Sequence, residues 1–124
     1  TIIECDNHSL PTAENELFGP VLSVMKFNDE KEVIEKMNDN QYGLSSGVYT
    51  SDFARGLRVS NAIRAGITFV NTYRLISPSA PFGGIKDSGY GKEAGMDSIK
   101  DYTRVKTTWY YTSDEPTLDP FSIR

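Results

Sequence analysis

Ile67 to Asn71 reads Ile-Thr-Phe-Val-Asn, a short and nearly all-apolar run that begins just past a glycine. A strand of that composition suits a place where both faces are covered, as in parallel sheets flanked by helices. The segments before it fit the same layer. Thr1 to Glu4 reads as a short strand and Val21 to Phe27 as a second, with Val and Phe favouring a pleated surface. Asp29 caps a helix, and Glu32, three positions on, completes a capping box. Val33, Ile34 and Met37 form that helix's apolar stripe, and Glu32 with Lys36 makes an outer i,i+4 pair, until Gly43 stops the run. Gly47 to Thr50 is a further strand. Ser51 caps the next helix. Phe53, Leu57 and Ala54 are expected to face inward from it, and Arg55 and Arg58 to face water, up to Gly66. Strand alternating with helix predicts an α/β fold, an open twisted sheet with flanking helices.

Beyond Asn71 the texture changes. Tyr73 to Tyr90 is rich in Pro, Gly and Ser, a loop long enough to be functional or disordered. A short helix is expected near Met96 to Tyr102. Arg104 to Tyr111 then reads as a strand with Val105, Thr107, Trp109 and Tyr111 on one face. The division is therefore 1–102 for the α/β part, 103–112 for a terminal strand and 113–124 for an extended tail.

Composition narrows the function classes. The net charge is −4 and no basic stripe is visible, which argues against nucleic acid as a partner. A single cysteine forbids an internal disulfide and fits a reducing, cytoplasmic setting. The first residues lack the basic end and apolar run of a signal peptide, and no stretch is long enough to span a bilayer, so no membrane partner is expected. His8 has no Cys, His or acidic partner at ligand spacing, so no metal is expected. The chain opens on a strand-like run without Met and is read as a piece of a larger protein.

Two stretches carry chemistry. Residues 16 to 21 read Glu-Leu-Phe-Gly-Pro-Val. A carboxylate there can accept hydrogen bonds from two neighbouring sugar hydroxyls, and Phe18 can lie against a flat heterocycle. Taken alone, the pair is equally an exposed loop acid and a core phenylalanine. The second stretch runs from Phe69 to Gly95. Its strand ends at Asn71 and delivers the chain to the carboxyl edge of a sheet, where α/β proteins place ligands. Pro81-Phe82-Gly83-Gly84 is a rigid turn with one exposed aromatic, and its glycines let backbone approach closely. Gly89-x-Gly91 is loop geometry, because no strand leads directly into it as a dinucleotide fingerprint requires.

Glu16 to Val21, Phe69 to Tyr73 and Ala80 to Gly95 resemble, in order and spacing, the carboxyl-terminal portion of the NAD(P)-dependent aldehyde dehydrogenase superfamily. The resemblance runs from Thr1 to about Thr112. It implies part of the catalytic domain of an enzyme that oxidises an aldehyde to a carboxylic acid and passes a hydride to NAD or NADP. Glu16 resembles the glutamate that binds the nicotinamide ribose hydroxyls, and Phe18 the ring that packs beside the nicotinamide, an orienting role. Phe82 resembles the aromatic residue lining the aldehyde tunnel, with Arg74, Leu75 and Ile76 on the variable specificity loop. A cation at position 74 would favour aldehydes bearing a carboxylate. Glu93 sits where many relatives carry an acid linked to proton transfer. In the family the nucleophilic cysteine, the base glutamate, the oxyanion asparagine and the dinucleotide-binding fold all precede the Glu16 motif. Cys5 matches none of the family's cysteine motifs, so the chain alone is expected to be inactive. The terminal strand would join a neighbouring subunit in a homodimer or homotetramer. The alternative is a non-catalytic assembly module that docks through that strand.

Overall fold

A computed structural model describes residues 1–117 and 119–121. Six strands are arranged as three two-stranded ladders. β1 (Ile2–Glu4) pairs in parallel with β2 (Leu22–Val24), in the register Ile2 with Leu22. The link between them contains a one-turn helix, α1 (Pro11–Glu14). Its proline takes the first helical position, where a missing N–H costs nothing. β4 (Ser45–Val48) pairs in parallel with β5 (Ile67–Val70), and α3 (Phe53–Ala62) is the crossover between them. β3 (Tyr42–Gly43) pairs antiparallel with β6 (Ile85–Lys86), a strand inside the stretch expected to be loop. A 3-10 turn (Met96–Ser98) leads into α4 (Ile99–Tyr102), where a short helix was expected.

The α/β order is as expected, but the single continuous sheet is not present. β2 and β4 each pair on one side only. Between them lies a groove of about 600 Å³, lined by Ser23 and Met25 on one bank and Ser45 and Ser46 on the other.

The helix α2 (Glu30–Asn38) begins as its sequence dictates. The Asp29 carboxylate accepts from the Glu32 N–H at 2.9 Å. The Glu32 carboxylate reaches back one residue further than a standard capping box, accepting from the Asn28 N–H at 2.7 Å. It also meets Lys36 at 2.7 Å, the expected i,i+4 pair.

Helix α3 departs from expectation in two ways. Asp52 rather than Ser51 is the cap, accepting from the Arg55 N–H at 3.1 Å. The buried residues are Gly56 and Val59, with Ile63 just beyond, whereas Phe53 and Leu57 are 79% and 54% exposed. The helix carries two apolar stripes, and the one containing glycine permits the closer approach. A Cβ on Gly56 would stand 2.9 Å from the Val70 side chain, so α3 sits against β5 at a distance only glycine allows.

Few side chains are buried. Among the described residues the apolar core is Cys5, Val59, Ile63 and Phe69. The accessible surface is 10623 Å² for a mass of 13.8 kDa, against roughly 6,600 Å² for a compact monomer of that mass. Large apolar side chains such as Ile2, Phe53, Leu75, Met96 and Trp109 remain on the surface. Residues 103–112 lie in no strand. A strand exists only with a hydrogen-bonded neighbour, and none within the described chain takes up this segment. The expected 113–124 tail falls partly at 118 and 122–124, outside the described residues. No helix among the described residues is long and apolar enough to cross a membrane.

Candidate functional site

Strand β5 is followed by Asn71, whose φ of 54° turns the chain sharply; asparagine tolerates that left-handed region better than most residues. Its backbone N–H donates to the Val48 carbonyl at 2.8 Å. Its side-chain amide donates to the Thr50 carbonyl and accepts from the Thr50 N–H, both at 2.8 Å. The carboxyl ends of β4 and β5 are thereby latched, and the chain leaves them in a defined direction toward Tyr73 and Arg74.

Those two residues, with Ile76 and Phe82, line a cavity of about 430 Å³ together with Leu44, Ser45 and Phe69. Ser45 and Phe69 point to one face of the β4–β5 ladder, and α3 packs on the opposite face, against Val70. The cavity therefore lies on a sheet face, where the carboxyl edge was expected. Of the four predicted tunnel residues, the fold brings Arg74, Ile76 and Phe82 together, while Leu75 stays outside with its side chain exposed. Leu44 and Phe69 were not anticipated. Leu44 is distant in sequence and reaches the cavity only through the β3–β4 chain path.

The stretch that carries Phe82 is ordered by a cage of bonds. Phe82 and Glu93 pair as an isolated antiparallel bridge. Lys92 Nζ donates to the Gly84 carbonyl at 2.8 Å, and the Gly43 N–H donates to Ser88 Oγ at 2.9 Å. Lys86 Nζ donates to the Asn38 and Asn40 carbonyls at 3.1 and 2.8 Å, satisfying acceptors left free at the end of α2. Gly89, Gly91 and Gly95 have positive φ, in keeping with their reading as loop geometry. Glu93 is itself exposed and borders a smaller cavity of about 320 Å³ beside Phe82 and Gly83.

Glu16 lines the groove between β2 and β4. Its carboxylate holds no hydrogen bond or ion pair among the described residues. Phe18 is the central residue of a tight turn in which the Gly19 N–H donates to the Leu17 carbonyl at 2.7 Å. The ring is 100% exposed. Leu44 and Ser45 border both the Glu16 groove and the Phe82 cavity, so the two halves of the predicted site adjoin across one short segment. An unengaged carboxylate and an unpacked ring two positions later suit the hydroxyls and flat ring of a nucleotide's redox end.

Cys5 does not belong to this region. It is 3% exposed, and its thiol donates to the Ile3 carbonyl at 3.7 Å. No cluster of three or more His, Cys, Asp or Glu side chains among the described residues is placed to hold a metal ion. The perturbed carboxyls lie on the helices instead. Arg58 grips Glu30 in a two-pronged pair at 2.6 and 2.7 Å and holds it below the usual carboxylate range. The Lys36 ammonium, followed by the Asn28 backbone and side-chain amides, lowers Glu32 to about 2.

A latched parallel ladder, a crossover helix and an aromatic cavity define an α/β unit. The profile described as the aldehyde dehydrogenase family matches residues 1–108. The chain belongs to that family. It is 50% identical to (Z)-2-((N-methylformamido)methylene)-5-hydroxybutyrolactone dehydrogenase of Acinetobacter baylyi over 100% of its own length and 26% of that protein's. It is 44% identical to betaine aldehyde dehydrogenase of Brucella anthropi, over 88% of its length and 22% of the relative's. The crystal structure of an indole-3-acetaldehyde dehydrogenase complexed with NAD+ superposes with a TM-score of 0.83 at 38% identity, covering 90% of this chain and 22% of that one. PnpE from Pseudomonas sp. WBC-3 gives 0.84 at 35% identity, over 97% and 24%. The chain thus spans about a quarter of the length of the relatives it matches.

Proposed function

We propose that the whole protein carrying this chain is a cytoplasmic, NAD- or NADP-dependent aldehyde dehydrogenase that oxidises an aldehyde to a carboxylic acid. In it, these residues form one wall of the cofactor and substrate sites. The observation that carries the reading is the adjoining of the Glu16 groove and the Phe82 cavity across Leu44 and Ser45. When bound, the nicotinamide cofactor supplies the hydride acceptor. Glu16 would hold its ribose hydroxyls and Phe18 would pack beside its ring, both restricting pose. Phe82, Ile76 and Tyr73 would exclude water from the aldehyde, and Glu93 would serve proton transfer from the far side of the Phe82 bridge. The nucleophile belongs to another part of the protein, since Cys5 is buried away from the cavity.

The test is nucleotide reduction by the whole protein over a panel of aldehydes. Glu16→Gln should lower kcat roughly tenfold, the difference between a charge-assisted and a neutral hydrogen bond. The 124-residue chain by itself should give none. Absence of turnover by the whole protein on every aldehyde would overturn the proposal.

A further inference from the structure

Arg74 has a φ of 57°, in the left-handed region that residues other than glycine seldom enter. Backbone held there against its preference recurs at ligand clamps. The side chain is placed as well. The Arg74 guanidinium carbon lies 5.3 Å from the centroid of the Tyr73 ring, and Tyr73 meets Phe69 edge to face at 6.0 Å. Phe69 is buried in β5, so the cation is aimed by a stack rooted in the sheet. Arg55 and Arg58 on α3 are both engaged by Glu30, whereas Arg74 has no carboxylate partner among the described residues. An arginine held over a ring keeps its in-plane N–H donors for a further acceptor. Arg74 borders a cavity otherwise lined mainly by Leu44, Phe69, Ile76 and Phe82.

An apolar cavity with one planar cation on its wall matches a molecule with an apolar middle and an oxyanion at one end. We propose that Arg74 is a specificity-determining residue that binds a carboxylate at the end of the substrate remote from its aldehyde. The enzyme would then prefer ω-oxo carboxylates to neutral aldehydes of the same length. This rests on the dehydrogenase reading above. The fork of the guanidinium can meet both carboxylate oxygens, which lysine cannot reproduce.

The experiment is steady-state kinetics of the whole protein with a straight-chain ω-oxo carboxylate and the neutral aldehyde of equal carbon number. Arg74→Gln should lower kcat/KM for the oxo-carboxylate about tenfold to a hundredfold, chiefly through KM. The ratio of kcat/KM for the oxo-carboxylate to that for the neutral aldehyde should fall by about the same factor, whatever the variant does to both substrates alike. Arg74→Lys should recover part of the loss. In the unaltered protein the preference should shrink as salt rises, and a dicarboxylate should inhibit more strongly than its monoamide, a comparison that needs no variant. An unaltered protein that oxidises both aldehydes without preference, an unchanged ratio in Arg74→Gln, or equal inhibition by the acid and its amide would each overturn this inference and leave the dehydrogenase reading standing. Failure to oxidise either aldehyde class would remove both.

Discussion

Phe82 and Glu93 exchange both of their backbone hydrogen bonds, each 2.7 Å long. The bond that positions the aromatic wall is therefore main chain to main chain, and the Glu93 carboxylate is left free for chemistry. Glu93→Gln should leave thermal stability unchanged while lowering kcat and flattening the acid limb of its pH profile. An unaltered kcat and profile would show that Glu93 only anchors Phe82.

Gly66 makes the tightest demand in the fold. A Cβ there would fall 1.9 Å from the Gly83 carbonyl oxygen. Backbone, not a flexible side chain, would have to move. Gly66→Ala should destabilise the whole protein by about 1–3 kcal/mol or more, as overpacking does, and should raise the KM for aldehyde by displacing Phe82. Denaturant midpoints measure the first effect. Wild-type stability would mean that the Gly66–Gly83 contact is not kept in the whole protein.

Acid should act on the start of α2 late. The folded Glu32 carboxyl is lowered to about 2 from its ordinary 4.5, chiefly by the Lys36 hydrogen bond. A depressed carboxyl contributes stability that is fully present above its unfolded value and is lost as pH falls through its folded one. The pair is thus complete above the ordinary value and weakens between there and about 2. Carboxyl carbon NMR should show a Glu32 midpoint far below those of unpaired glutamates. A midpoint at the ordinary value would contradict the capping geometry.

Residues 103–112 carry the exposed side chains of Val105 and Trp109 without a strand neighbour. We predict that they add to the edge of a sheet in a second subunit, which would give the segment its missing hydrogen bonds. Val105→Pro removes a ladder donor, and in the whole protein it should shift light-scattering mass toward a smaller species. An unchanged oligomer would refute the intersubunit role.

Legibility followed the range of the forces. The α2 start was readable because Asp29, Glu32 and Lys36 satisfy one another within two turns. The β5 strand was readable because its β-branched and aromatic composition favours a pleated surface. The inward face of α3 was not, because Phe53–Leu57 and Gly56–Val59–Ile63 are both apolar stripes. Nor was the hold on the 78–95 stretch, whose bonds reach Gly43 and Asn38 and whose backbone crowds Gly66, all far away along the chain. The grouping of Arg74, Ile76 and Phe82, but not Leu75, also depends on the direction in which Asn71 releases the chain.

The order of residues by itself determined the alternation of strand and helix, the cap of α2, and family membership. Each is set by neighbours a few positions apart or by motifs read in order. Only the tertiary structure decided which stripe of α3 is buried, which loop side chains share a cavity, and that the sheet stops at the free edges of β2 and β4. Those outcomes depend on surfaces meeting across long sequence separations, where close approach and hydrogen-bond geometry select among faces that composition leaves equal.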